Sequence, residues 1–182
     1  MFDHVQEWID AAVANGATAN VRPDAVCRMH AIGMQDLIPS AGVYRDGPVA
    51  IENSKHTPPA FGDVPGLVDE MCATLARASD RTPLWLASYA LWRLNWIHPF
   101  ADGNGRTARA LCHVVLSIHL KLPRMPPGPT LPERILREKL KYWRCLQEAD
   151  SAYRRRRTVS VSHMEGFLGR LLRAMLADDT GR

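Results

Sequence analysis

Between His98 and Arg109 the chain sets an imidazole, a carboxylate, a glycine-rich loop and two guanidinium groups in one short run, His98-Pro99-Phe100-Ala101-Asp102-Gly103-Asn104-Gly105-Arg106-Thr107-Ala108-Arg109. Each type has a use beside a polyphosphate. Gly103 and Gly105 permit backbone angles and close approaches that a side chain would forbid, so the N–H groups around Asn104 can converge on an anion. The apolar run that follows is expected to be a helix, whose first turn adds N–H groups lacking intrahelical partners. Arg106 and Arg109, three positions apart, fall on one side of that turn, where both forks can reach one polyphosphate. Thr107 lies between them and is counted with the ligand-binding candidates. Asp102 is a hard oxygen ligand of the kind Mg²⁺ shares with phosphate oxygens. His98, with an ordinary pKa near neutrality, can take a proton from an incoming hydroxyl. Phe100 is expected to turn into the core and fix the loop.

The flanking pattern predicts what holds this run in place. A helix opens at Thr82-Pro83, carries Leu84, Leu86, Tyr89, Leu91 and Trp92, and must end before Pro99. A second, strongly apolar helix is expected from Arg106 to about Leu120. Further back, Val5, Trp8, Ile9, Ala12 and Val13 recur at helical spacing before Asn15-Gly16, and a helix from Arg22-Pro23-Asp24 is expected through Val26, Met29, His30, Met34 and Leu37 to Pro39. Gly42-Val43-Tyr44-Arg45 and Val49-Ala50-Ile51 about the turn Asp46-Gly47-Pro48 read as a small β-hairpin. A helix then carries Leu67, Val68, Met71, Leu75 and Ala76. After a Pro-rich connector from Pro123 to Pro132, two more helices are expected over 133–149 and 160–177, separated by Arg154-Arg155-Arg156-Arg157. No internal repeat is present.

At 182 residues, with 46% hydrophobic and 23% charged, the chain suits one domain spanning 1–182 and is too balanced for disorder. The stretch from Leu84 to Ile97 is interrupted by Arg93 and Asn95, which argues against a membrane-spanning helix. The first residues carry acids where a secretory signal would carry Lys or Arg, so a cytoplasmic start is expected, with delivery into a host cell as the alternative. Cys27, Cys72, Cys112 and Cys145 show no metal-ligand spacing and are expected to be reduced and mostly buried. Net charge is +4, but residues 1–90 hold 6 basic and 11 acidic groups against 17 and 8 in residues 91–182. The second half therefore faces an anion: nucleic acid, a membrane surface or a phosphorylated small molecule. No aromatic residues interleave Arg154 to Arg157, which speaks against base stacking on that run. The tryptophans at 85, 92 and 96 read as packing, and the histidines other than His98 as core or surface residues.

The run from 98 to 109 closely resembles the signature of the Fic family, His-x-Phe-x-Asp/Glu-Gly-Asn-Gly-Arg-x-x-Arg, with every constrained position matched. The resemblance extends through Gly42 to Ile51, which look like the family's flap, and through Tyr142-Trp143 to Asp150, which look like its adenine-side helix, covering roughly 22–175. It implies a mainly α, compact all-helical fold with a small β-hairpin flap. It also implies a protein adenylyltransferase that moves AMP from ATP-Mg to a Ser, Thr or Tyr hydroxyl and releases pyrophosphate. In that role His98 is the general base and Asp102 holds Mg²⁺. The backbone of Gly103, Asn104 and Gly105 cradles phosphates, and Arg106 and Arg109 balance charge on the β- and γ-phosphates. Tyr142 and Trp143 lie near the base, Asp150 near the nucleoside, and a target segment pairs with the 42–53 hairpin through Val49, Ala50 and Ile51.

Many family members carry a self-inhibitory helix, Ser/Thr-x-x-x-Glu-Gly/Asn. The nearest run here is Ser160-Val161-Ser162-His163-Met164-Glu165-Gly166, in which Val161 stands where Ser or Thr is needed. Glu165 is thus read first as an ordinary position on the last helix. Restraint would then fall to a small antitoxin-like partner that keeps a toxin module silent. Other members use other nucleotide donors, and a kinase-like branch has Ala-Asn-Lys where this chain has Gly103-Asn104-Gly105.

Overall fold

A computed structural model describes residues 6, 7, 9, 10, 21–52, 54–78, 80–122 and 128–180. Gln6, Glu7, Ile9 and Asp10 are helical and Ile9 is buried; the rest of the expected first helix lies outside the described residues, as does the connector at 123–127.

Helix α1 spans Pro23–Met34, with Pro in its first turn and Val26, Met29, His30 and Met34 on the buried face. It stops earlier than the sequence pattern suggested. Asp36 takes a left-handed conformation (φ 65°) and Leu37 is 60% exposed, so that leucine lies outside the core. A 3₁₀ turn at Phe61–Asp63 leads into α2, Val64–Arg77, which buries Val68, Met71, Cys72 and Leu75. Helix α3, Pro83–Ile97, is capped by Thr82, whose Oγ1 accepts from the Trp85 N–H at 3.0 Å. From Leu86 to Leu94 every residue of α3 is buried, which marks the central helix of the fold.

Helix α4, Asn104–His119, lies along α3 and against α1. The segment expected as one helix over 133–149 is two. Helix α5 covers Leu131–Arg137 behind a Thr130/Glu133 capping box, and Glu138 leaves helical geometry (φ −111°, ψ 40°) before α6, Lys139–Arg156. Arg154 to Arg156 form the last turn of α6 and Arg157 its left-handed C-cap, where cations meet the negative end of the helix dipole, so the run is not an open loop. Helix α7, Ser162–Thr180, packs on α3, α5 and α6. The Glu138 carboxylate takes both Arg170 Nη atoms at 2.8 Å and Lys141 Nζ at 2.7 Å, pinning the start of α6 to α7.

Among the described residues there is no strand, so the expected β-hairpin flap is absent and 42–52 is an ordered loop. Its backbone groups are drawn elsewhere. Val43 N–H donates to Ser40 O at 3.0 Å, Arg45 N–H to Pro99 O at 2.9 Å and Ser54 N–H to Ile51 O at 3.2 Å, while Pro48 has no N–H to offer a partner strand. The cysteines are free, with Cys72, Cys112 and Cys145 buried and Cys27 half-buried. No helix among the described residues is long and apolar enough to cross a membrane.

Candidate active site

Helix α3 ends where Pro99 forbids another turn, and His98 takes the left-handed C-cap (φ 53°, ψ 59°), donating its N–H to Leu94 O at 2.9 Å. Five residues on, Gly103 is also left-handed (φ 74°, ψ 1°) and opens α4. A Cβ there would sit 2.5 Å from Met34 Sδ, so glycine serves both the angle and the approach of α1. Between these two corners the loop is tied internally. Buried Asn104 accepts from Phe100 N–H at 2.9 Å through Oδ1 and donates to Phe100 O at 2.8 Å through Nδ2. Phe100 is fully buried, as expected, and stacks on His30 with ring centroids 3.7 Å apart.

His30 holds the loop from α1. Gly42 N–H can only donate, so His30 Nδ1 accepts from it (2.8 Å); Asp102 O can only accept, so His30 Nε2–H donates to it (2.9 Å). The ring is therefore neutral and bridges the 42–52 loop to the motif loop. Burial, partly opposed by the Asp102 contact, holds its pKa below the usual value. Arg45 makes a second bridge. It is buried and donates Nε–H to His98 O at 2.8 Å, Nη1–H to Gly47 O at 3.0 Å and Nη2–H to Pro59 O at 2.6 Å.

His98 Nδ1 lies 3.1 Å from Asn95 O, an acceptor, so Nδ1 carries the proton and Nε2 keeps its lone pair. Burial, with Arg45 and His56 nearby, holds the imidazole below its ordinary pKa despite the Asn95 bond and Asp102. The ring is thus neutral at pH 7, with Nε2 free to accept a proton.

A cleft of about 440 Å³ brings His98, Asp102, Gly105 and Arg109 together with Tyr142, Trp143 and Asp150 of α6. Arg109 lines the cleft together with Tyr142, whose hydroxyl accepts from Asn95 Nδ2 at 3.0 Å. Trp143 lies beneath Lys139, with Nζ 4.5 Å from the ring centroid. Asp150 accepts from Trp92 Nε1–H at 2.8 Å, and burial pushes its carboxyl above the usual range. Ile51 joins the lining, whereas Val49 and Ala50 do not.

Arg106 is elsewhere. Its Nη1 donates to Gly33 O at 2.7 Å, turning the guanidinium onto the end of α1 while Arg109 faces the cleft. Thr107 is fully buried and donates back to Gly103 O at 3.1 Å, a helix-start bond rather than a contact in the cleft. Glu165 accepts from Thr82 Oγ1 at 3.4 Å, at the opposite end of α3 from His98, about 22 Å away for a helix of this length. It does not approach Arg109.

For a divalent cation the donors are few. Asp102 is exposed, with one carboxylate oxygen taking the Gly103 N–H at 2.6 Å, and among the described residues no three ligating side chains converge. That suits Mg²⁺, which is commonly held by one carboxylate together with phosphate oxygens and water. Sequence reasoning missed His30, Arg45, Asn95, His56 and Lys139. Of these, only Lys139 carried a signal, four residues before Trp143 on one helix face.

The Fic/DOC family model matches residues 20–116, more than half of the chain. The "Protein adenylyltransferase Fic" of Drosophila persimilis is 30% identical over 116 residues, covering 63% of this chain and 22% of that protein. The protein of the same name from Nematostella vectensis is 37% identical over 78 residues, 42% of this chain and 18% of its own length. The chain thus spans about a fifth of these curated relatives. A crystal structure of a Fic family protein from Desulfovibrio desulfuricans G20 superposes with a TM-score of 0.71 at 26% identity, over 95% of this chain and 51% of that one.

Proposed function

The chain belongs to the Fic/DOC family, and from that premise we propose that it transfers AMP from ATP to a Ser, Thr or Tyr hydroxyl of a target protein. The hydroxyl oxygen attacks the α-phosphorus, its proton passes to His98 Nε2, and the bond to the β-phosphate breaks to release pyrophosphate. The observation that carries the reading is the His98 tautomer: Nδ1–H is committed to Asn95 O, and the basic nitrogen shares one cleft with Asp102, Gly105 and Arg109. The names of the fly and sea-anemone relatives support the same chemistry.

In this reading Arg109, which faces the cleft, takes the departing phosphates. The first N–H groups of α4 face the same anion. Asp102 would hold Mg²⁺, which supplies charge neutralisation on the phosphates when bound. Trp143 and Asp150 receive the nucleoside, and the target segment lies along 49–52, where Ile51 and Glu52 reach the cleft. Incubating the protein and Mg²⁺ with a cell lysate, with ATP labelled at the α-phosphate in one tube and the γ-phosphate in another, tests this. Protein label from the α tube alone, absent with His98→Ala, is expected; label from the γ tube would overturn AMP transfer.

A further inference from the structure

The basic run closing α6 has no part in the chemistry above, yet its placement is specific. Asp150, Tyr153, Arg154 and Arg157 continue at three and four spacing the helix face that carries Trp143 and Gln147. That face leads out of the cleft into an adjoining cavity of about 350 Å³, which shares His56, Trp96 and Asp150 with the cleft and adds Lys55, Arg154 and Arg157. Among the described residues, none of these three cations has a carboxylate within ion-pair distance. Arg157 is fixed there. Its N–H closes α6 onto Tyr153 O at 2.8 Å in a left-handed conformation, and its guanidinium sits 5.9 Å over the Tyr153 ring. Against these three cations the cavity sets one carboxylate, Asp150, which feels Arg154, so its charge stays net positive and a dianion among them relieves the remaining repulsion.

ATP alone does not supply such a charge. With its phosphates at Arg109, the nucleoside lies along α6 against Trp143 and Asp150, the latter eight residues or about 12 Å beyond Tyr142. The charge beyond Asp150 would then face the ribose. We propose that this cavity is a second anion subsite, which receives a phosphate carried on the ribose 2′- or 3′-oxygen of the nucleotide donor. The inference rests on the nucleotide-binding reading of the cleft. One Asp150 oxygen is taken by Trp92 Nε1–H, and the other accepts from the ribose hydroxyl left unphosphorylated. Arg154, Arg157 and Lys55 close on the phosphate next to it, by charge-assisted hydrogen bonds.

Calorimetric titration at fixed ionic strength with AMP, adenosine 2′,5′-bisphosphate and adenosine 3′,5′-bisphosphate reads this without turnover. One of the bisphosphates is expected to bind at least about tenfold tighter than AMP, the factor one good charge-assisted bond supplies. In the variant Lys55→Gln, Arg154→Gln, Arg157→Asn, with asparagine chosen because it tolerates the left-handed backbone, the advantage disappears while AMP affinity stays. In Arg155→Gln, Arg156→Gln, whose residues line neither cavity, the advantage is retained. Bisphosphates no tighter than AMP overturn the subsite, as does an equal loss in both variants, which would mean general attraction. Failure of AMP itself to bind overturns the nucleotide reading along with it.

Discussion

Replacing His30 with alanine is expected to destabilise the fold by roughly 3–6 kcal/mol, although His30 lies outside the motif and touches no candidate substrate position. The two backbone groups it bridges, Gly42 N–H and Asp102 O, each lose their partner. Because both contacts are part-buried, each loss is placed at about 1–2 kcal/mol, the lower part of the range for an unsatisfied group. The space left against Phe100, whose ring stacks on His30 at 3.7 Å, adds about 1–2 kcal/mol. For a chain of this size the sum corresponds to a drop in melting temperature on the order of 10 °C. Urea and thermal denaturation followed by circular dichroism measure it directly.

Two partial replacements separate the halves of the bridge. Asparagine puts an acceptor near the Nδ1 position and keeps the Gly42 bond; glutamine puts a donor near Nε2 and keeps the Asp102 bond. Both variants should fall between wild type and alanine. His30→Ala within about 1 kcal/mol of wild type would refute the bridge, since the two lost partners together are placed at about 2–4 kcal/mol. Protonation acts in the same direction, because a proton on Nδ1 would confront the Gly42 N–H. With the folded pKa below the ordinary histidine value near 6.5, the unfolded chain binds the proton first. The stabilisation is complete above pH 6.5 and is lost as pH falls through the folded pKa.

His113, buried on α4 and held down to about 4 by desolvation, should give the larger acid effect. Stability is expected to decline between pH 6.5 and 4 by about 3 kcal/mol, and urea midpoints for His113→Leu should fall less steeply over that window. Asn104→Ala removes both bonds to Phe100 and should lower stability by about 2–3 kcal/mol, with a matching rise in hydrogen exchange at the Phe100 amide. Arg109→Ala should weaken ADP binding about tenfold or more, whereas Arg106→Ala, tied to Gly33 O in the free protein, should change it far less; equal losses in a calorimetric titration would mean Arg106 swings into the cleft.

The helices were legible because their signals are local. Thr82-Pro83 starts α3, Pro99 ends it, and the apolar run after Gly105 can only be buried between neighbours. The 42–52 loop was misread for a related reason. Two short apolar runs about Asp46-Gly47-Pro48 have the pattern of a hairpin, but a hairpin needs its own cross-strand bonds, and here Arg45 N–H goes to Pro99 O. The break at Glu138 was equally hidden. Nothing between Leu131 and Arg156 is a glycine, and its only proline, Pro132, is in the first turn of α5.

The candidate site divides along the same line. Residue types that react or bind ions stand out in the sequence because few other uses explain a histidine, an aspartate, two glycines and two arginines in a dozen positions. Residues that aim them do not stand out, because their partners are backbone atoms far along the chain. His30 meets Asp102 across 72 positions and Arg45 meets His98 across 53, and a carbonyl oxygen leaves no mark in the sequence. Arg106 and Arg109 show the limit most clearly. Spacing put both on one side of the first turn of α4, and the guanidinium of Arg106 still left the cleft, because Gly33 O at the end of α1 is an acceptor within reach. A three-residue spacing fixes where Cβ atoms lie, while the nearest unpaired acceptor decides where a long side chain ends.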